Sequence, residues 1–402
     1  MNILVVSQYY FPEQFRVNDI CEGLVNKGHK VTVLTGQPNY PDGDIYEGYE
    51  TIRDEEFHNG VRIIRCKLRP RHKGTINLLL NYLSFVKNAN KKAKSIKDDY
   101  DLIYVYQMSP VTLAIPAIKL KKKLGIPIFL YCCDVWPDSV RDSDGGEPMS
   151  LKNPIYIIAK WISKYVYKRV DRIGVKCNQF IEYLHDVCGV ERGKCCLIYE
   201  HAESSYLSVP EEPEDNGCYD FMFLGNIGKS QHCEYIIKAA QKIKTDKKFK
   251  VHFVGSGSAL EELREYVSKN KLDDLVVFHG RHPVSEINNF YNFADCCVLT
   301  LSAKTATGLT PPAKLVGYMA ASRPIIAAAE GATKDILEEA DCGICVRPDD
   351  VTGLSEAMDY ALRNQRIISL KGQNGRRYFI NNFTLEKYVD SLERELNKFK
   401  AE

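Results

Sequence analysis

The sequence predicts an α/β protein of two doubly wound domains that face each other across a cleft. Short apolar runs alternate with longer amphipathic stretches along all 402 residues, which is the pattern of strands and crossover helices in parallel sheets. This length suits two or three domains of ordinary size. The composition agrees, because 45% hydrophobic and 26% charged residues are typical of globular proteins and exclude collagen-like and disordered chains.

The first domain is predicted over residues 1–205, with a C-terminal helix over about 383–402 packing back on it. Its first helix is predicted over 15–28, where apolar residues recur at helical spacing and Gly28 ends the pattern. Its strands are the apolar runs at 2–7, 31–35, 61–65, 102–106, 127–131 and 172–175.

The second domain is predicted over residues 206–382. The stretch 208–218 holds two prolines, four acids and a glycine, so we place the interdomain linker near it. The strands that follow are 221–224, 251–254, 276–278, 296–299, 324–327 and 343–346. Ligands of such sheets bind beyond the carboxyl ends of the strands, so candidate residues are sought there.

Charge and cysteine content exclude several classes of protein. The net charge of +2 indicates neither a nucleic-acid binder nor a membrane-coating protein. Residues 1–198 hold 29 basic and 22 acidic side chains, which leaves 25 and 30 in 199–402; this asymmetry suggests an anionic partner for the first domain, with chance as the alternative. The fourteen cysteines follow no disulfide or zinc pattern, so we expect reduced core thiols in a cytosolic protein without a transmembrane span.

Two turns of the second domain could hold a phosphate or diphosphate. Residues 225–231 (GNIGKSQ) follow a strand and open a helix near Cys233, where glycines expose backbone amides and a helix N-terminus attracts anions. In residues 307–314 (TGLTPPAK), Thr310 is predicted to cap the helix Ala313 to Ala321. Lys314 would oppose that helix dipole unless an anion lies nearby. The alternatives are a structural turn and a solvated surface lysine.

Weaker candidates lie beyond other strands. Gly255 and Gly257 form an incomplete glycine motif that is more often a tight strand-to-helix turn. In the first domain, the segment 8–18 (QYYFPEQFRVN) and the segment 134–138 (DVWPD) follow strand ends, where they could contact a sugar or a phosphate, or serve as turns and caps. We assign acceptor contacts to Phe11, Glu13, Arg16, Asn18 and Trp136.

Residues 62–97 hold eleven basic side chains and no acidic one. Apolar residues at helical spacing lie inside this run, a pattern typical of a helix that binds anionic lipid. The alternative is a helix packed on its own sheet with a solvated charged face. We predict membrane contacts for Arg69, Arg71, Lys73, Leu79, Leu80 and Leu83.

Together these segments resemble glycosyltransferase family 4, which has the GT-B fold of two Rossmann-like domains. The resemblance covers essentially the whole chain. It is carried by QYYFPEQFRVNDI, GHKVTVLTGQPNYP, DVWPDS, FLGNIGKSQ, FVGSGSALEEL, HGRHPVSEI, PPAKLVGYMAASRPII and EGATKDILEEADCGICVRPDD. Within that family the motifs look closest to a bacterial N-acetyl-fucosamine-transferase-like subgroup that builds O-antigen, colanic-acid or capsule repeat units.

The resemblance implies a retaining transfer of a sugar from a nucleotide donor, with a UDP-sugar favoured, to a lipid-linked glycan of the undecaprenyl-diphosphate type. The enzyme would be peripheral on the cytoplasmic face of a bacterial membrane, with the donor in the second domain and the acceptor in the first. It would need no metal or other cofactor, and no nucleic acid. The family motifs assign reacting-centre roles to Asp134 and Lys314. They assign donor contacts to Gly225, Asn226, Gly228, Lys229, Gln231, Gly255, Gly257, Arg281, His282, Gly308, Leu309 and Thr310.

Two departures from the family motifs leave alternatives open. The family usually has two glutamates eight positions apart near the donor, and Leu309 and Gly317 occupy the matching positions. The paired glycines of the first loop are replaced by residues 12–15 (PEQF). The missing glutamates suggest a non-catalytic partner of another transferase as one alternative function, and a UDP-sugar 2-epimerase of the same fold is another. The segment Asp142-Ser143-Asp144 follows no predicted strand, so we interpret it as a turn rather than a metal ligand.

Overall fold

The computed structural model describes residues 1–53, 55–72, 74–141, 148–301 and 306–400, and divides them into two compact units. The first unit comprises Met1–Val140, Ser150–Tyr199 and Leu385–Glu402. The second comprises Glu200–Thr384 together with Arg141–Met149, of which 142–147 lie outside the described residues. The observed boundary at Tyr199 lies six residues before the predicted division at 205/206, so the proline-rich stretch 208–218 is part of the second unit.

The first unit is built on a sheet of eight strands in the order β3-β4-β2-β1-β5-β6-β7-β8. All neighbouring strands pair in parallel except β3, which is antiparallel to β4. Every residue of β5 and β6 is buried, as expected for a sheet covered on both faces. The strands are β1 (Asn2–Val6), β2 (Lys30–Gly36), β3 (Glu56–His58), β4 (Val61–Cys66), β5 (Leu102–Gln107), β6 (Ile128–Cys132), β7 (Arg172–Val175) and β8 (Cys195–Leu197).

Helices cover both faces of this sheet. One face carries α2 (Thr75–Ala93), α3 (Ile115–Leu124), α4 (Pro154–Arg169) and α5 (Asn178–Cys188), each in contact with the next. The other carries α1 (Arg16–Asn26) and the C-terminal α13 (Leu385–Asn397), which pack together. Right-handed crossovers produce this arrangement, because the chain steps from β1 to β2 in one direction and from β4 through β5, β6 and β7 in the other.

The second unit has six parallel strands in the order β11-β10-β9-β12-β13-β14. Its core packs α6 and α11 against the sheet, with Phe221, Phe223 and Ile237 buried. The strands are β9 (Tyr219–Leu224), β10 (Phe249–Val254), β11 (Val276–Gly280), β12 (Cys296–Thr300), β13 (Ile325–Ala328) and β14 (Gly343–Val346). The helices are α6 (Cys233–Lys242), α7 (Leu260–Lys269), α8 (Ile287–Phe293), α9 (Ala313–Ala320), α10 (Gly331–Glu339), α11 (Val351–Arg363) and α12 (Gln365–Asn382).

The fold class is confirmed, and the local structure differs from the prediction in two respects. The three-residue strands β3 and β8 were not predicted, since so short a run carries too little periodicity to stand out. Thr310 does not cap α9, because the N-cap position is Pro312. No described helix is both long and apolar enough to cross a bilayer, and the fourteen cysteines are all free thiols, most of them buried.

Candidate functional site

The chain order of the second sheet changes direction between β9 and β12. From β9 the chain proceeds outward through β10 to β11, and from β12 it proceeds the other way through β13 to β14. In open parallel sheets the crevice beyond the carboxyl ends of two such strands is where ligands bind. The two segments that leave β9 and β12 at this point are the turns at 225–231 and 307–314, so the topology brings together the two predicted phosphate turns.

The turn after β9 is held by the turn after β10. The amide of Ile227 donates to the Ser256 carbonyl at 2.9 Å, and the amide of Ala259 donates to the Ile227 carbonyl at 3.0 Å. A Cβ on Gly257 would lie 2.4 Å from the carbonyl oxygen of Ile227, and one on Gly255 would lie 1.8 Å from that of Gly225. Gly255 and Gly257 therefore have a packing role that supports the first turn, and their direct contact with a donor stays a prediction.

Lys314 points from the first turn of α9 toward the turn after β9. Its Nζ donates to Gln231 Oε1 at 2.8 Å and lies 3.8 Å from the centroid of the Phe223 ring. Its Cε lies 3.3 Å from where a Cβ of Gly225 would be. Burial lowers the pKa of Lys314 to about 8. Its contacts in the described part of the chain include no carboxylate, so this lysine is not the solvated surface residue of the alternative interpretation.

The hydrogen bonds around Gln231 tie the two turns together. Thr300, the last residue of β12, donates from its hydroxyl to the backbone carbonyl of Gln231, while the side chain of Gln231 accepts from Lys314. The exposed Asn226 presents its amide beside Gly228, with Nδ2 2.8 Å from where a Cβ would stand. Gln231, Asn226, Gly228 and Lys314 are thus brought together, and their contact with a donor stays a prediction.

Lys229 has a different partner from the predicted phosphate. Its Nζ lies 2.8 Å from Glu262 Oε1 on α7, and both side chains are exposed. A ligand that recruited Lys229 would first have to compete with this carboxylate. The pairing was not foreseen, because it depends on the approach of α7 rather than on local spacing.

Arg281 and His282 follow β11, next to the strand from which Gly255 emerges. His282 contacts Glu286 through Nδ1 at 2.8 Å and the His279 carbonyl through Nε2 at 3.2 Å, while Arg281 is exposed. Below them lies a buried polar chain that sequence analysis missed. Asp220 accepts from His252, which in turn contacts His279 at 2.9 Å. Burial lowers the pKa of His279, and these three residues support the loop from adjacent strands.

The position that matches the second family glutamate is filled by neighbouring rings. A Cβ on Gly317 would lie 3.0 Å from the hydroxyl oxygen of Tyr291 and 3.4 Å from the ring of Tyr206. A glutamate here would displace the buried Tyr291 and the half-buried Tyr206. Leu309 occupies the position of the other family glutamate. It is half-buried and is the last residue of a short 3-10 helix, between Gly308 and Thr310.

The first sheet also changes direction, between β1 and β5, and Glu13 lies beyond β1. Its Oε1 accepts hydrogen bonds from the amides of Asn39 and Tyr40, both at 2.8 Å. Burial raises its pKa to about 7, although both of those bonds favour the carboxylate. Asn18 donates to the backbone carbonyl of Glu13 at 2.8 Å, and its contact with an acceptor stays a prediction.

The other residues predicted beyond the carboxyl ends of the first sheet lie in the two segments that follow β1 and β6. Phe11 stacks on His58 with ring centroids 3.4 Å apart. Trp136 donates from its indole nitrogen to Ser109 Oγ at 3.0 Å, and half-buried Asp134 lies two residues before it. Arg16 is the first residue of α1. Phe11 and Trp136 are thus engaged in packing, while Asp134 lies beyond β6.

A buried amide network at the same edge was also missed. Gln8 donates to Asn81 Oδ1 at 2.7 Å, and Asn81 donates to Asn39 Oδ1 at 3.1 Å. The oxygen of the Gln8 side chain has no partner among the described residues. Gln8 lies two residues beyond the end of β1, and a polar residue in that position was the available signal.

The predicted membrane residues lie on and before α2. Leu79 and Leu83 are exposed, Leu80 is half-buried, and Arg69 is exposed. Arg71 lies over the ring of Tyr40 at 5.3 Å, and Lys73 lies outside the described residues, as do Asp142, Ser143 and Asp144. Not all of the basic run is free for lipid, because Arg65 is buried in an ion pair with Glu56.

The described part of the chain holds no group of three or more His, Cys, Asp or Glu residues able to bind a metal ion. Glycine turns, backbone amides and Lys314 make up the candidate site described above, and such groups are suited to bind an anionic, polar ligand.

Comparison with known proteins connects this geometry to one class of enzyme. Residues 14–200 match the family model described as "Glycosyl transferase 4-like domain", and residues 218–364 match "Glycosyl transferases group 1". A "Probable glycosyltransferase WbjE" of Pseudomonas aeruginosa is 25% identical over 62% of this chain and 64% of that protein. The "Putative colanic acid biosynthesis glycosyl transferase WcaI" of Escherichia coli is 23% identical over 90% of this chain and 92% of its own.

Solved structures share the fold over the whole chain. Sucrose-phosphate synthase from Thermosynechococcus elongatus superposes with a TM-score of 0.76 at 18% identity, over 100% of this chain and 99% of its own. Anabaena Alr3699/HepE in complex with UDP and glucose gives a TM-score of 0.69 at 14% identity, over 99% of both chains. These similarities establish two Rossmann-like domains of the GT-B type.

Proposed function

We propose that this chain, which belongs to the group 1 and 4-like glycosyltransferases with the GT-B fold, transfers a sugar from a UDP-sugar to a lipid-diphosphate-linked glycan. The observation that supports this most is Lys314, a partly buried cation without a carboxylate partner among the described residues. It lies at the point where the second sheet changes direction. A diphosphate is the ligand whose charge would complete this arrangement.

The turn after β9 supports the same proposal. Gly225 and Gly228 leave room for a ligand to approach the backbone, and the N-terminus of α6 follows directly. When the bond between the sugar C1 and the diphosphate oxygen breaks, negative charge grows on the leaving group. The ammonium of Lys314 would stabilise that charge. We propose retention of configuration, with the acceptor proton passing to the leaving diphosphate, and no metal ion.

The nature of the acceptor is proposed from relatives and from the first unit. Relatives are named for colanic acid biosynthesis and as an O-antigen chain mannosyltransferase, and the motif resemblance favours a UDP-N-acetyl amino sugar as donor. We propose that Asp134 lies near the reacting carbon and that Glu13 faces the acceptor. The exposed leucines of α2 and the basic residues before it would hold the enzyme on the cytoplasmic face of the membrane.

A non-catalytic partner of another transferase is the second candidate. The observation that favours it is Gly317, where Tyr291 and Tyr206 fill the space of the family glutamate. Such a protein would keep the fold without turning over a donor.

Thermal unfolding with UDP, GDP and a panel of UDP-sugars tests the proposal. UDP should raise the melting temperature, because a ligand that binds only the native state stabilises it. In Lys314→Met that shift should disappear, since the variant keeps the volume of the chain and loses its charge. Lys269→Met, an exposed lysine of α7, should keep it. Absence of any nucleotide-induced shift in the wild type would contradict the proposed donor site.

Turnover separates the two candidate functions. A transferase should release UDP from the matching UDP-sugar, slowly with water and faster with a lipid-linked acceptor. UDP binding without any release would support the non-catalytic partner.

A further inference from the structure

Helix α4 has an apolar face that the first unit does not bury. One side of the helix packs inward through Tyr156, Ala159, Ser163, Val166 and Tyr167. The opposite side carries Ile157, Ile158 and Trp161, of which Ile158 is 59% exposed and Trp161 is 68% exposed. Leu151, which precedes the helix, and Ile155 in its first turn are also exposed. Large apolar side chains grouped in this way mark a surface that binds something.

The segment that bears this face carries charge of one sign only. Residues 148–170 hold no acidic side chain and five basic ones, namely Lys152, Lys160, Lys164, Lys168 and Arg169. Lys164 and Lys168 lie one and two turns beyond Trp161, on the same side of the helix. Trp161 stacks on Tyr165, and the Arg169 guanidinium lies 3.7 Å from the centroid of the Tyr165 ring. Aliphatic residues, an exposed indole and flanking lysines together are characteristic of a helix that lies in a lipid interface.

The position of α4 fits such a role. In a crossover unit the helix runs back along the sheet, so its N-terminal half lies near the carboxyl ends of the strands. The exposed residues of α4 are in that half, as are the exposed Ile76, Leu79 and Leu83 of α2. Both helices contact the short 3-10 helix Val111–Ala114 beyond β5. Both apolar faces therefore lie toward the sheet edge that also carries Glu13 and Asp134.

We propose that α4 docks in the interface of an anionic phospholipid bilayer. Ile157, Ile158 and Trp161 enter the acyl region, while Lys164 and Lys168 contact lipid phosphates. The inference deepens the proposed function and rests on it, because a lipid-linked acceptor would then reach the first unit from the membrane on which α4 lies. Anionic lipid fits this face better than a protein partner, because residues 148–170 carry only basic charge, which lipid phosphates complement.

Vesicle co-sedimentation of the full chain tests the docking. Wild type should bind vesicles of phosphatidylcholine with phosphatidylglycerol, and bind more weakly at high salt or to phosphatidylcholine alone. The double variant Ile157→Glu and Ile158→Glu should bind about tenfold more weakly or worse, since two carboxylates replace inserted aliphatic groups. The matched control Ile367→Glu and Leu370→Glu changes exposed residues of α12 and should bind as wild type does.

Tryptophan fluorescence tests whether Trp161 enters the acyl region of the bilayer. The chain has two tryptophans, and insertion of Trp161 predicts a blue shift with anionic vesicles and quenching by brominated acyl chains. Trp161→Phe should lose both signals. Equal vesicle binding by wild type and the α4 variant, or an indole that brominated lipid does not quench, would overturn the proposal.

The UDP-induced thermal shift, measured without vesicles, keeps the two proposals apart. A wild type that responds to UDP but does not bind vesicles refutes docking and leaves the donor site standing. The α4 variant should keep both its melting temperature and its UDP response, because the substituted side chains are exposed. A wild type that binds vesicles only when another protein is added would also contradict direct lipid docking.

Discussion

At the scale of single residues, burial changes the pKa values of two charged side chains beyond the carboxyl ends of the sheets. Lys314 and Glu13 both follow strand ends and both have displaced pKa values, of about 8 and about 7. Their positions were predictable from the turns in which they occur. Their titration was not, because the sequence does not show which neighbours exclude water from a side chain.

The raised pKa of Glu13 predicts a pH-dependent stability. Between its usual pKa of 4.5 and about 7, the unfolded state releases the proton while the folded state keeps it. The free energy of unfolding therefore falls as pH rises through this window, by about 1–3 kcal/mol. Glu13→Gln keeps an oxygen for the amides of Asn39 and Tyr40 and cannot ionise. Its melting temperature should thus exceed that of wild type by more at pH 8 than at pH 5.

Melting curves of Glu13→Gln, of the exposed control Glu50→Gln and of wild type across this range make the comparison. Other titrating groups cancel in the difference between variant and wild type. If the difference in melting temperature stays constant with pH, ionisation of Glu13 does not destabilise the folded protein.

At the scale of elements, the parallel strands and their helices follow from the alternation of apolar runs with amphipathic segments. The hydrophobic periodicity of the sequence did not predict the contacts between loops. Gly255 and Gly257 form only an incomplete motif in the sequence, yet they hold the turn after β9 by close backbone approach. Likewise, Thr310 suits an N-cap by residue type, but two prolines intervene and Pro312 takes that position.

Gly257→Ala tests this coupling of loops. Its Cβ would meet the backbone carbon and oxygen of Ile227, each at 2.4 Å, so the turn after β9 must move. We expect a loss of about 2–4 kcal/mol in the stability of the second unit and a weaker response to UDP. Gly193→Ala, where nothing lies within 4 Å of the new Cβ, is the control. Normal UDP binding by Gly257→Ala would show that the turn is not part of the donor site.

At the scale of the whole molecule, the C-terminal helix belongs to the unit that begins the chain. In the first unit, α13 contributes Tyr388, Val389, Leu392 and Leu396 to the hydrophobic core. Its Tyr388 hydroxyl lies 2.9 Å from that of Tyr104 on β5, and Lys27 of α1 pairs with Asp390 at 2.6 Å. The hydrophobic core of the first unit is therefore incomplete without α13.

Leu392→Ala should destabilise the first unit alone. Removing a fully buried leucine costs about 2–5 kcal/mol, and hydrogen exchange should show faster exchange in β1 and β5 with little change in β9 and β12. Glu386→Ala, an exposed residue of the same helix, should leave both units unchanged. Equal loss of protection in both units would contradict this assignment of α13.

The sequence by itself determined the two parallel α/β units, the loops that bear the candidate donor residues and the resemblance to a transferase family. These features are local, since each depends on periodicity or on residues adjacent in the chain. Only the tertiary structure decided that Lys314 meets Gln231, that Lys229 pairs with Glu262 and that tyrosines fill the space beside Gly317. It also revealed the uncovered face of α4. Each of these depends on which distant segments pack together, and burial by such segments sets both charge and exposure.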